Sequence, residues 1–223
     1  MFAAFFAAAF TAPVYATDVK FYVSEKIAYT KLKNKDSVMS PLPGGGQQAV
    51  VHGTDEKDDV LGSKTAIGFA LPVHAIRGNI RTEFEFGFGE KAQFDIANKA
   101  APGVFDTKIK TQTYFINAYY DFDTKSAFTP YVGIGAGIAN TKSKATHNYG
   151  SGVISSSEHA NNFAWNASLG GSYAFNKNLS LDVGYRYTDL GNLSSLATSN
   201  SHSYKMKAKL SSYELLAGIR YSF

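Results

Sequence analysis

The chain has 223 residues, no cysteine, and 22 basic against 18 acidic side chains for a net charge of +4. Without cysteine there is no disulfide scaffold, no thiolate metal centre and no lipid anchor on a cysteine, and the scattered Lys and Arg form no nucleic-acid arm. Aromatic residues reach 14% and glycines number 20, against 18% charged residues, a balance that favours strands over helices.

Residues 2–12 are apolar apart from Thr11, a run of signal-peptide length that is followed by Pro13 and the small-x-small site Val14-Tyr15-Ala16. Residues 1–16 are therefore expected to be a signal peptide, and residues 17–223 one exported domain. No Lys or Arg precedes the run, so a basic leader segment is expected to be missing from it. At this length the run is too short to span a bilayer as a helix, which needs about 20 apolar residues.

Beyond Pro13 the hydrophobic period is two, in eight segments of the length a tilted membrane strand requires. The first, 19–32, sets Phe21, Val23, Ile27 and Tyr29 against Tyr22, Ser24, Lys26 and Ala28. The second, 64–71, alternates Ile67, Phe69 and Leu71 with Gly68 and Ala70. The third, 77–88, is the clearest: Ile80, Thr82, Phe84, Phe86 and Phe88 against Arg81, Glu83, Glu85 and Gly87. The fourth, 110–122, places Tyr114, Ile116, Ala118, Tyr120 and Phe122 opposite Thr113, Phe115, Asn117 and Tyr119. In the fifth, 131–140, Val132, Ile134, Ala136 and Ile138 alternate with three glycines. The sixth (163–175), seventh (179–187) and eighth (209–223) repeat the pattern, the last with Tyr213, Leu215, Ala217, Ile219, Tyr221 and Phe223 on one face.

The links alternate between short (72–76, 123–130, 176–178) and long, polar ones (33–63, 89–109, 141–162, 188–208). Short turns at one end and long loops at the other predict an all-β, eight-stranded antiparallel up-and-down transmembrane barrel, with both termini at the short-turn end. A soluble barrel with its apolar face inward shares the alternation. Glycines on the polar face, and aromatics near the strand ends of the apolar face, favour the membrane form.

In that form the inward face holds Lys26, Arg81, Arg186 and Arg220 with Glu83, Glu85, Asp182 and Glu214, a balanced set expected to pair and fill the lumen. A narrow pore for small solutes is the competing reading. Glu25 breaks the pattern and demands either a bulge or an outward carboxylate.

Phe21-Tyr22-Val23, Thr129-Pro130-Tyr131-Val132-Gly133, Leu179-Ser180-Leu181-Asp182-Val183-Gly184-Tyr185-Arg186-Tyr187 and the closing Ala217-Gly218-Ile219-Arg220-Tyr221-Ser222-Phe223 make the chain resemble the opacity-protein and OmpA-like small outer-membrane barrels. The resemblance spans the exported chain. It implies a Gram-negative outer membrane with its lipid and lipopolysaccharide, and a terminal signal at Tyr221 and Phe223 that the barrel assembly machinery reads. For the opacity-like branch it further implies surface loops that meet host receptors or sulfated glycans. With Phe223 last, no peptidoglycan-binding domain is expected.

Within the last long link, Lys205, Lys207 and Lys209 alternate, so on an extended segment their ammonium groups share one side and suit a polyanion. The acidic group at residues 55–59 lacks calcium-loop spacing, and neither a metal nor another cofactor is expected. His52, His147, His159 and His202 fall in the long links and His74 in a short turn, away from any strand serine, so no catalysis is expected. The sequence thus predicts a monomeric surface barrel that serves adhesion or glycan interaction, with transport or an envelope-structural role as alternatives.

Overall fold

Residues that alternate between oily and polar side chains can satisfy both a hydrocarbon exterior and a polar interior only as strands, and strands in hydrocarbon must leave no open edge. The computed structural model meets both demands; it describes residues 19–41, 56–73, 77–97, 104–149, 152–199 and 202–223. Its strands are β1 (Lys20–Pro41), β2 (Glu56–Val73), β3 (Gly78–Ala97), β4 (Val104–Phe122), β5 (Phe128–Tyr149), β6 (Gly152–Ala174), β7 (Leu179–Ser199) and β8 (His202–Ser222). Each pairs antiparallel with its sequence neighbour, and β1 closes the barrel on β8. The expected signal segment, residues 42–55, His52 and His74 lie outside the described residues.

Burial decides between the membrane and soluble forms. Ile134 and Phe163 are 70% and 71% exposed, whereas Glu85 and Arg186 are 0% and 1% exposed. The apolar face points out and the charged face in, the inverse of a soluble barrel. Two aromatic rings bound the outer band. Phe122, Phe128, Tyr173, Phe175, Tyr221 and Phe223 stand at the short-turn end, and Phe88, Tyr114, Phe163, Trp165 and Tyr185 at the other. Neighbouring rings contact edge-on, as in Tyr173–Phe175 at 5.6 Å and Tyr221–Phe223 at 5.3 Å.

No register shift occurs at Glu25. It stands opposite Thr65 and Ile219, is exposed, and accepts a hydrogen bond from the Thr65 hydroxyl. The carboxylate therefore sits in the apolar band between Val23 and Ile27. Glu25→Val is expected to raise the urea midpoint for unfolding from lipid vesicles, and a lowered midpoint would show that the Thr65 contact outweighs the cost of a lipid-facing charge.

The long loops expected from the sequence are a misreading for much of their length. β1, β5, β6, β7 and β8 run for 21 to 23 residues, about twice the 9–11 that cross a bilayer. The β5–β6 ladder continues to Tyr149↔Gly152 and the β7–β8 ladder to Ser199↔His202. Beyond the bilayer both faces of a strand meet water, so the oily-polar alternation fades while backbone pairing goes on.

Above the upper aromatic ring the barrel divides. Among the described residues β2 and β3 pair only up to Ser63↔Phe88, and β6 and β7 only up to Trp165↔Asp189. The other ladders continue outward, so the wall splits into one flap of β3, β4, β5 and β6 and a second of β7, β8, β1 and β2. A register shift marks each flap near its base, at Gly87/Glu90 and at Asp189/Gly191. Gly191 takes φ +81°, a left-handed conformation that glycine adopts without strain.

Candidate functional site

Alternation aims every second side chain of the lower strands into the lumen, and glycines set the space there. Gly133, Gly135 and Gly137 of β5 stand opposite Tyr119, Asn117 and Phe115 of β4, so each large inward side chain faces a residue with none. The same device seats the Tyr22 ring over Gly68 and the Lys26 stem over Gly218. A narrow lumen can then hold the charges.

The middle layer centres on Glu83 and Glu85. Lys26 Nζ lies 3.0 Å from Glu83 Oε1 and 3.6 Å from Glu85 Oε2. The hydroxyls of Tyr22 and Tyr119 donate to Glu83 at 3.1 and 2.9 Å. Arg186 grips Glu85 through two parallel bonds, Nη1–Oε1 at 2.5 Å and Nη2–Oε2 at 3.0 Å, the fork geometry that makes such pairs strong. Its Nη2 also donates to Tyr119 Oη at 3.1 Å, and its Nη1 lies 3.8 Å from Glu214 Oε2.

Towards the short-turn end, Arg81 Nε donates to Asp121 Oδ2 at 2.7 Å, and its guanidinium lies 4.7 and 5.0 Å from the rings of Tyr119 and Tyr131. Arg220 Nη2 donates to Ser172 Oγ at 2.7 Å and lies 3.5 Å from Asp182 Oδ1. Beneath them opens a cavity of about 260 Å³, which Arg81, Asp121, Arg220, Lys20 and Lys177 help to line.

All eight charged residues read from the sequence thus line the lumen, but that set is incomplete. Lys64, 3.2 Å from Glu214, and Asp121 are also buried, which makes five cations and five anions among the described residues. Both follow from alternation: Ile67 and Phe69 outward turn Lys64 inward, and Tyr120 and Phe122 outward do the same for Asp121. Their places at the ends of the predicted segments hid them.

The sequence reading also missed a second barrier. Above the ionic layers, Leu32, Val60, Phe115, Ala139, Ala164, Leu190 and Leu210 form a buried apolar cluster across the lumen. Of these, Leu32, Val60, Leu190 and Leu210 fall in, or at the edge of, stretches read as long loops. Ions that passed the paired charges would still meet this apolar cluster, which buried Thr113 and Ser212 flank.

A barrel with an oily exterior, two aromatic rings and a charged interior matches a known pattern: a family model described as the outer membrane protein beta-barrel domain fits residues 2–223. The chain belongs to this family. It is an outer-membrane protein, and its closed eight-stranded form is that of the small barrels it resembles. The outer membrane protein PagN of Salmonella typhimurium is 33% identical over 195 residues, which cover 79% of this chain and 80% of PagN. Among solved structures, OprG of Pseudomonas aeruginosa shares the fold at 15% identity and a TM-score of 0.56, covering 92% of this chain and 95% of OprG. The outer membrane protease OmpT of Escherichia coli matches at 8% identity and a TM-score of 0.50, covering 94% of this chain and 98% of OmpT. At such identities the likeness is one of fold alone.

Other residues singled out from the sequence lie at the two ends of this family member. Phe223 closes the lower ring, its backbone N–H donating to the Phe21 carbonyl at 2.9 Å. Lys205, Lys207 and Lys209 lie on β8, opposite Leu196, Ser194 and Asn192 of β7. Lys209 is half exposed, and its ammonium lies 3.3 Å from Asp189 Oδ2. His147, His159 and His202 lie on strands rather than in loops.

Proposed function

We propose that this outer-membrane barrel is a non-conducting surface protein whose flaps carry its function in adhesion, with a sulfated glycan as ligand. The observation that carries this reading is the filled lumen: buried paired charges below and a buried apolar cluster above occupy the interior among the described residues, while the strands run on beyond the bilayer as flaps. Lys205, Lys207 and Lys209 on β8 are the candidate glycan contacts, because alternate residues of a strand present their charges on one side. The opacity-like resemblance points the same way.

The test joins two measurements on the refolded chain. In a planar bilayer the barrel is expected to be silent, and discrete open steps altered by Glu83→Gln would favour the narrow-pore alternative. On immobilised heparin, replacing Lys205, Lys207 and Lys209 together by Ala is expected to lower the salt needed for elution. Unchanged retention would sink the glycan assignment.

A further inference from the structure

The cavity of about 260 Å³ beneath Arg81 and Arg220 exists because the last inward side chains before the short turns are small: Ala70, Ser172, Ala174, Ser180 and Ser222. All eight strands contribute to its wall. In barrels of this kind the short turns face the periplasm, so the cavity lies at that end.

The charges on this wall do not balance. Lys20, Arg81, Lys177 and Arg220 line the cavity against a single carboxylate, Asp121. The buried charges of the whole lumen match five for five, so Lys20 and Lys177, both exposed at the mouth, are a surplus. Among the described residues neither has a carboxylate within ion-pair distance.

Two buried polar atoms of the lining residues also lack a hydrogen-bond partner: Arg220 Nη1, a donor, and Asp121 Oδ1, an acceptor. The other end of each group is engaged. Arg220 Nη2 donates to Ser172 Oγ at 2.7 Å, and Asp121 Oδ2 accepts from Arg81 Nε at 2.7 Å. Asp182, 3.5 Å from Arg220 Nη2, is not part of the wall. Buried donors and acceptors are normally served. Water would serve both atoms but leave the surplus of positive charge unanswered.

An occupant that answers every one of these features carries negative charge, accepts from a guanidinium and donates to a carboxylate. Hydrogen phosphate has this chemistry, because near neutral pH it keeps a P–OH beside its charged oxygens. Sulfate is fully ionised and can only accept, so it would leave Asp121 Oδ1 facing a like charge. A phosphate monoester, with its second pKa at about 6, has mostly lost that proton at neutral pH. At about 30 Å³ per water, the cavity has room for the ion and several waters around it. We propose that this cavity is a site for inorganic phosphate, in which Arg81 and Arg220 hold the charged oxygens, Asp121 accepts the P–OH, and Lys20 and Lys177 draw the anion to the mouth. The site lies at the opposite end of the barrel from the β8 lysines and does not depend on the glycan reading.

Calorimetric titration of the full chain, refolded in phosphatidylcholine nanodiscs in a phosphate-free buffer at neutral pH, tests this, with empty nanodiscs as the blank. Inorganic phosphate is expected to bind saturably, one ion per barrel, and sulfate and glycerol 3-phosphate to bind about tenfold or more weakly. That comparison needs no variant. Arg220→Gln is expected to weaken phosphate binding about tenfold or more. Lys20→Gln with Lys177→Gln, both exposed, is expected to weaken it less and to reduce its dependence on salt. Asp121→Asn, whose amide can donate to either anion, is expected to erase the preference for phosphate over sulfate. Lys110→Gln, at the far end of the barrel, is expected to change nothing. A heat-modifiable gel shift establishes that each variant is folded.

No saturable binding by the parent at millimolar phosphate would overturn the proposal, as would equal affinity for sulfate or for the monoester. Phosphate binding untouched by both the Arg220 and the double Lys substitutions would overturn it too, by placing the ion elsewhere.

Discussion

Replacing Arg186 by Met is expected to destabilise the folded barrel by about 3–5 kcal/mol, measured as the change in unfolding free energy from urea titrations in lipid vesicles. Arg186 is 1% exposed and holds Glu85 through two bonds. Without it Glu85 keeps Lys26, at 3.6 Å and shared with Glu83, and the more distant attraction of Lys64. A buried carboxylate that loses its guanidinium retains its full desolvation penalty, which is why breaking one side of such a pair costs more than the pair contributes. Replacing both partners, Arg186→Met with Glu85→Leu, is expected to recover at least half of the loss. A single variant as stable as the parent would mean that water reaches Glu85 and that the pair does not hold the strands together.

Gly137→Val is expected to prevent barrel closure, seen as loss of the heat-modifiable band after refolding. Gly137 stands opposite Phe115, and a Cβ there would strike the Tyr114 carbonyl oxygen and lie 2.9 Å from the Phe115 Cα. Both are backbone atoms of the paired strand, which cannot retreat without breaking the β4–β5 ladder. Gly135 is the control. A Cβ there meets the side chains of Asn117 and Asn166, which can turn away at the loss of their 2.9 Å hydrogen bond. Gly135→Ala is therefore expected to fold, with about 1–3 kcal/mol less stability. A normal folded yield for Gly137→Val would remove the steric account of these glycines.

The transmembrane half of this molecule was legible because lipid and lumen demand opposite chemistry. Phe84 and Glu85 are neighbours in sequence and lie 47% and 0% exposed, the oily side chain outward and the charged one inward, the reverse of a soluble barrel. From that contrast came the strand number, the closing order, the inward set of charges and the position of the termini. Lys64 and Asp121 were missed only because each sits where a segment was taken to end.

The extracellular half was not legible, for a matching reason. Residues such as Lys142, Ser143, Lys144 and Ala145 carry no periodic contrast, yet they continue β5 in register with β6. The apolar cluster illustrates the same blindness. Leu190 and Leu210 look like stray residues in polar stretches until the β7–β8 register sets Gly191 opposite Leu210 beside them.

The continuous ladders of the flaps also constrain how this surface can change over generations. Side chains along a strand alternate between faces, so adding one residue to β5 below Lys142 would turn everything beyond it to the other face and move Lys142 from its place opposite Lys110. Adding two residues to each arm of a hairpin would lengthen the flap and leave every face as it was. Length variants of this barrel should therefore differ in steps of two per strand, while substitutions that respect the alternation can redraw the outer wall freely. A surface built this way can diversify its side chains without re-ordering its backbone, so each new contact is made by groups already held in place.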